Sequence, residues 1–170
     1  MSGAIQYRDL PQALIRAREA VARYFRPGLK QAGVTEQQWR VIRALSQSGE
    51  MEVGRISEIS CIPGPSLTGV LERMERDDLV RRFRISTDQR KVLVELTAKS
   101  RKLVEKVAAR INARYELIEQ HLGPQVLAQL FTLLDKVAEL PDPNQAEPVK
   151  LPIARRKSPA RPAAKAAARR

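Results

Sequence analysis

One cysteine, Cys61, and one histidine, His121, are all that 170 residues offer of the two side chains that most often hold metals or supply a nucleophile and its base. A lone cysteine excludes an internal disulfide and agrees with a reducing compartment. Neither residue has companions at metal-ligand spacing. Aromatic residues make up only 4% of the chain, which weighs against a β-sandwich. No apolar run is long enough to span a bilayer, and the opening MSGAIQYRDLPQAL lacks the basic-then-apolar order of a secretory signal. The expected location is the cytoplasm, on the nucleoid. There is no phosphate-cradling glycine loop, no nucleophile beside a base and no framed pair of carboxylates, so the chain does not read as an enzyme and calls for no cofactor.

What is plentiful is positive charge. Lys and Arg number 31 against 19 Asp and Glu, a net charge of +12, which points to a polyanionic partner: double-stranded DNA before an anionic membrane. The excess is uneven. From Pro141 onward the chain turns to Pro, Ala, Lys and Arg and carries +6, half of the total. Residues 141–170 are therefore expected to form a disordered basic tail, either a source of sequence-independent phosphate contacts or a solubilising appendage.

The apolar pattern of the rest is mostly helical. Leu10, Leu14, Ala17, Val21 and Phe25 line one stripe of a first helix that Pro27-Gly28 should weaken or end near Leu29. Thr35, with Gln38 three residues on, forms a capping-box pattern ahead of Trp39, Val41, Ile42 and Leu45. A short helix from about Val53 to Cys61 should bury Val53, Ile56 and Ile59, and Ile62-Pro63-Gly64-Pro65 then forces a turn into a further helix. That helix places Leu67, Val70, Leu71 and Met74 on one side and leaves Ser66, Thr68, Gly69 and Arg73 to face a partner. After it, Val80 to Ile85 and Val92 to Leu96 read as two strands flanking a polar turn whose tip is Asp88-Gln89-Arg90-Lys91. Thr97 should cap a long helix ending at Gly123-Pro124, and a last helix follows to about Leu140. Its stripe of Val126, Leu127, Leu130, Leu133, Leu134 and Val137 is broader than one small domain can cover, which implies a second copy packed across a twofold axis.

The organisation expected is thus an N-terminal dimerisation arm over residues 1–34, a winged helix-turn-helix over 35–97, C-terminal dimerisation helices over 98–140 and the tail: a mainly α fold with a small β-hairpin wing. Such a helix pair can insert the N-terminal residues of its second helix into the major groove. Ser66 and Thr68 could then contact base edges or phosphates, and Pro65 a thymine methyl. Arg73 suits a phosphate. Arg90, oriented by Asp88, suits a narrow minor groove, while Arg84, Arg81, Arg82 and Lys91 add phosphate contacts from the wing. The bland alternatives are helix capping for the hydroxyls and a charged, solvated turn for the rest. Arg18 falls inside the apolar stripe of the first helix, where it is either a structural ion-pair member or a carboxylate-binding group. Trp39 could stack on an aromatic ring, or be core, and Arg40 could supply a second cation. Cys61 reads as a small buried residue before a redox sensor. A sequence-tolerant, architectural DNA-coating protein dominated by the tail is the competing reading.

The wing string Asp88, Arg90, Leu96, Thr97 and the helix string Ser66, Thr68, Leu71, Arg73, Met74 resemble the motifs of the MarR family of winged helix-turn-helix transcriptional regulators, over nearly everything from Leu10 to Leu140. Asp78 stands where that family usually has glycine. The segments LPQALIRAREAVARYFRP, TEQQWRVIRAL and SCIPGPSLTGVLERME resemble the subgroup that controls breakdown of homoprotocatechuate and related aromatic acids. The resemblance implies a homodimeric repressor, released from a palindromic operator by a small hydroxylated aromatic carboxylate lodged between dimer arms and reader, near Arg18, Trp39 and Arg40.

Overall fold

The computed structural model describes residues 7–85 and 88–142, without the side chains of 85–90. The described residues form six helices and three strands in the order α1 Leu10–Gln31, α2 Glu36–Ser48, β1 Met51–Glu52, α3 Val53–Ser60, α4 Gly64–Arg76, β2 Val80–Ile85, β3 Asp88–Leu96, α5 Ala98–Leu122 and α6 Pro124–Ala138. The mainly helical architecture with a β-hairpin wing is as the periodicity requires. The chain divides into two units, residues 1–127 and 128–170.

Helix ends follow their capping chemistry. Asp9 accepts from the Gln12 amide at the start of α1, and Thr97 accepts from the Ser100 amide at the start of α5. At α2 the capping box is complete: Thr35 Oγ1 accepts from Gln38 N at 3.2 Å, and Gln38 Oε1 accepts from Thr35 N at 2.8 Å. Pro27 does not end α1. The helix runs through it for another turn, because the proline ring already holds a helical φ and removes a single N–H, while Leu29, buried at 2% exposure, anchors that turn to the core.

Three helices stop in the same way. The amides of Val34, Ile62 and Leu79 reach back five residues to the carbonyls of Leu29, Ser57 and Met74, and the residue before each bonds three residues back. This is the Schellman arrangement, and it places Gly33, Cys61 and Asp78 in the left-handed region at φ of 73, 49 and 56°. Asp78 therefore occupies the glycine-favoring position despite its Cβ, and Thr97 Oγ1 donates to its carbonyl at 2.7 Å.

The core lies where α2, α3, α4, α5 and the sheet meet. Val41, Ile42, Ile56, Leu67, Val70, Leu71, Met74 and Val94 are essentially solvent-free. Ile59, expected inside with Val53 and Ile56, is instead exposed: α3 is only two turns long, and one narrow stripe of it meets the core. The sheet has the order β1-β3-β2, all antiparallel, with Met51 opposite Val94 and Val80 opposite Leu96. Two-residue β1 has no periodicity and leaves no sequence signal.

The terminal helices keep apolar surface uncovered. On α1, Leu10, Ile15 and Val21 are exposed, and α6 has no buried residue at all, with Val126, Leu130, Phe131, Leu133 and Leu134 open. Thr35→Ala removes half of the capping box and is expected to lower the unfolding free energy by about 1 kcal/mol, read as a shifted urea midpoint at constant slope.

Candidate nucleic-acid interface

The reading head is α3, the turn Cys61–Pro63 and α4. The buried row of Leu67, Val70, Leu71 and Met74 turns the opposite face of α4 outward, and Pro65, Ser66, Thr68 and Arg73 are all exposed on it. Thr68 Oγ1 donates to the Gly64 carbonyl at 3.2 Å, a bond a base or phosphate could replace. Neither hydroxyl caps the helix: its N-cap is Pro63, which offers no side-chain bond, so the first amides of α4 stay available to an anion. Arg73 lies back along its helix, its Nη1 3.5 Å from where a Cβ on Gly69 would sit.

The wing differs from the expected hairpin in one respect. Asp88 to Lys91, anticipated at the tip, have strand backbone and belong to β3. The pairing steps from Arg84–Val92 to Ile85–Asp88, so Gln89, Arg90 and Lys91 form an irregularity in the ladder. Bulges of this kind bend and twist the strand that carries them. The side chains of Asp88 and Arg90 lie outside the described residues.

Three of the wing's cations are already engaged. Arg81 Nε donates to Glu95 Oε1 at 2.7 Å and its guanidinium lies 5.9 Å from the Phe83 ring centre. Arg82 Nε donates to Glu75 Oε2 at 2.8 Å, tying β2 to α4, and Lys91 Nζ reaches Glu52 at 2.8 Å on β1. Arg84 is exposed and has no ion-pair partner among the described residues. The acids Glu52, Glu75 and Glu95 were silent in the sequence because their partners come from other elements or the opposite strand.

The proposed effector residues are placed unequally. Arg18 is exposed and ion-paired with Glu36, which also lies 3.6 Å from Arg26. The stripe position is thus a bridge from α1 to the first turn of α2. Trp39 is buried in the core cluster. Arg40 is half-buried, and its Nη1 donates to the carbonyls of Ser60 at 2.7 Å and Cys61 at 3.2 Å. Burial, and then the charge of Arg18, hold its pKa below the usual guanidinium value. Cys61 is exposed rather than buried, since its left-handed backbone lifts it out of the turn while Ile62 takes the inward position.

Sequence reasoning passed over Arg43. It lies four residues after Trp39, hence on the same face of α2, and its Nη1 donates to Tyr115 Oη of α5 at 3.1 Å. The Tyr115 ring in turn packs on Phe25 of α1 with centroids 4.9 Å apart. A cavity of about 300 Å³ between α1 and α5 is lined by Phe25, Gly28, Ile111, Arg110 and Arg114 among others. The Trp39–Arg43 spacing was readable; the tyrosine, 72 residues away, was not. No three His, Cys, Asp or Glu among the described residues could share a metal ion, and no described helix is long and apolar enough to cross a membrane.

A helix pair with a free reading face, followed by a basic antiparallel hairpin, defines a winged helix-turn-helix protein. Its particular kind follows from comparison: residues 34–92 match the MarR family model, and the chain belongs to that family. It is 43% identical over 129 residues to the HTH-type transcriptional regulator FarR of Neisseria gonorrhoeae, covering 76% of this chain and 88% of that protein. It is 40% identical over 139 residues to the homoprotocatechuate degradative operon repressor of Escherichia coli, covering 82% and 94%. Among solved structures, NadR in complex with 4-hydroxyphenylacetate superposes with a TM-score of 0.73 at 40% identity, over 83% of this chain and all of NadR.

The Glu75–Arg82 bond gives a pH test. The guanidinium holds the Glu75 carboxyl below its usual 4.5, so the folded pKa is depressed and the stabilisation is complete above that value. It is lost as pH falls from there through the lower folded pKa. Glu75→Gln should lack this acid-dependent component, seen as a shallower fall of melting temperature with pH below 4.5 than in the parent; identical profiles would mean that the pair is not formed in solution.

Proposed function

We propose that this protein is a ligand-responsive, sequence-specific DNA-binding repressor of an operon for breakdown of aromatic compounds, acting as a homodimer on a palindromic operator. The observation that carries the reading is the outward face of α4, with Pro65, Ser66, Thr68 and Arg73 exposed over a solvent-free root. Pro65, Ser66 and Thr68 enter the major groove, and Arg73 meets a phosphate. On the wing, Arg84 and Arg90 carry the contacts, Asp88 orients Arg90, and Lys91 adds charge while its bond to Glu52 steadies the strand. The basic tail, 141–170, adds sequence-independent affinity.

Residues 1–34 and 98–140 make up the dimerisation region. The uncovered apolar residues of α1, and separately those of α6, give a second copy something to bury, and an isologous contact would fix two reading heads at one spacing. The effector is a small hydroxylated aromatic carboxylate. The kinship with the Escherichia coli repressor and with NadR, whose structure holds 4-hydroxyphenylacetate, supports that class. It lodges where α1, α2 and α5 meet, near Arg18 and Trp39 and beside Arg43 and Tyr115, while the Arg40 guanidinium is occupied by the Ser60 and Cys61 carbonyls. Arg43 supplies what a carboxylate needs, a half-buried guanidinium among aromatic rings.

Two measurements check this. The full chain should bind a duplex from its own promoter at least about a hundredfold more tightly than a random duplex at physiological salt, and 4-hydroxyphenylacetate or a related acid should release it. Equal, salt-sensitive binding to both duplexes would instead favour an architectural DNA-coating protein. Arg43→Ala should weaken binding of the acid, measured by calorimetry, by about tenfold or more; unchanged affinity would move the carboxylate elsewhere.

A further inference from the structure

The hydrogen bonds of Arg40 lead away from the effector region and into the reading head. Its Nη1 is shared between the Ser60 and Cys61 carbonyls, at the point where α3 stops. Carbonyls at a helix end have no intrahelical donors, and a cation there also answers the negative end of the helix dipole. Two residues later comes Pro63, and α4 begins at Gly64. No side chain caps the start of α4; Pro63 and Pro65 mark where it begins, but its direction is set by bonds made before it. The link to α3 sets that, through Cys61 in the left-handed region, the Ser57 Oγ bond to the Ile62 carbonyl at 2.7 Å, and Arg40.

Arg40 is the member of this set that comes from outside the helix pair. It reaches across from α2, whose apolar face is buried in the core, so it ties the turn to the packed interior of the domain. Its surroundings are partly shielded: Arg40 is half-buried, and its Nε and the Ser60 Oγ are buried. A bond from a cation to two carbonyls is stronger there than it would be in water. A glutamine could not replace it, being shorter and uncharged.

We propose that Arg40 is a positioning residue for operator reading, holding the Ser60 and Cys61 carbonyls so that α4 leaves the turn at the angle its exposed residues need to meet base edges. The inference rests on the DNA-reading function proposed above. It assigns Arg40 no contact with DNA, which separates it from a phosphate-binding cation.

The test uses full-length parent, Arg40→Gln and Arg40→Lys. Each is titrated against the promoter duplex and a random duplex of equal length at one salt concentration, with melting temperatures recorded. Arg40→Gln should lose about tenfold or more of the preference for promoter over random DNA, while its random-duplex affinity, set by phosphate contacts made elsewhere, changes by less than about threefold. Arg40→Lys, which can still donate to one carbonyl, should regain part of the preference. A preference in Arg40→Gln equal to the parent's, or an equal loss on both duplexes, overturns the assignment. Should Arg40→Gln fail to fold, Arg40→Lys decides alone: an intermediate preference supports the role and full preference overturns it. A parent with no promoter preference would overturn the operator reading and this inference together, whereas a selective parent with an equally selective variant would overturn only the inference.

Discussion

Everything in the reading head leans on α2. Val41, Ile42, Ala44 and Leu45 are sealed into the core, and this one helix touches α1, α3, α4, α5 and β3. With its apolar stripe spent on packing, the polar residues beside the stripe become its arms. Glu36 reaches α1, Arg40 reaches the end of α3, and Arg43 reaches α5. These residues are spaced by four and three, so they rise along one side of the helix. α1, α5 and the turn before α4 are thereby all tied to one helix.

The charge balance is a second organising constraint. A net +12 suggests indiscriminate attraction to polyanions, yet the structure spends several of its cations on internal partners. Arg81, Arg82 and Lys91 are held by Glu95, Glu75 and Glu52, and Arg18 and Arg26 by Glu36 and Glu19. Exposed pairs of this kind contribute little stability. Their effect is on direction: they fix which cations are left to face outward and hold strands and helices in register while doing so.

The fold was legible where side chains repeat with a period. Leu67, Val70, Leu71 and Met74 marked the buried face of α4, and Thr35 with Gln38 marked the start of α2, because both signals are local and each has one physical solution. The errors have a common cause. Pro27-Gly28 is expected to weaken or end α1 near Leu29, Ile59 and Cys61 to face inward, and Asp88–Lys91 to form a turn, and in each case tertiary packing or strand pairing carries the chain beyond the local preference. Leu29 pulls the helix past Pro27, Ile62 takes the place inside, and β3 extends its pairing to Asp88. Of the site, the exposed residues of α4 could be named from spacing alone. The roles of Arg40 and Arg43 could not, since their partners lie 20 and 72 residues away and only the folded chain brings them together.

The ends of α3 and α4 share an economy of design. Each passes through a left-handed residue that is not glycine, Cys61 and Asp78, and each is followed at once by a buried aliphatic residue, Ile62 and Leu79. The aliphatic residue is the anchor: once it is drawn inside and its amide bonds five residues back, the residue before it has little freedom over its own backbone. Chain reversal on either side of the reading helix is therefore governed by hydrophobic burial rather than by glycine. Such corners do not require glycine at the bend itself, but a polar residue at Ile62 or Leu79 would release the reversal and let the reading helix drift.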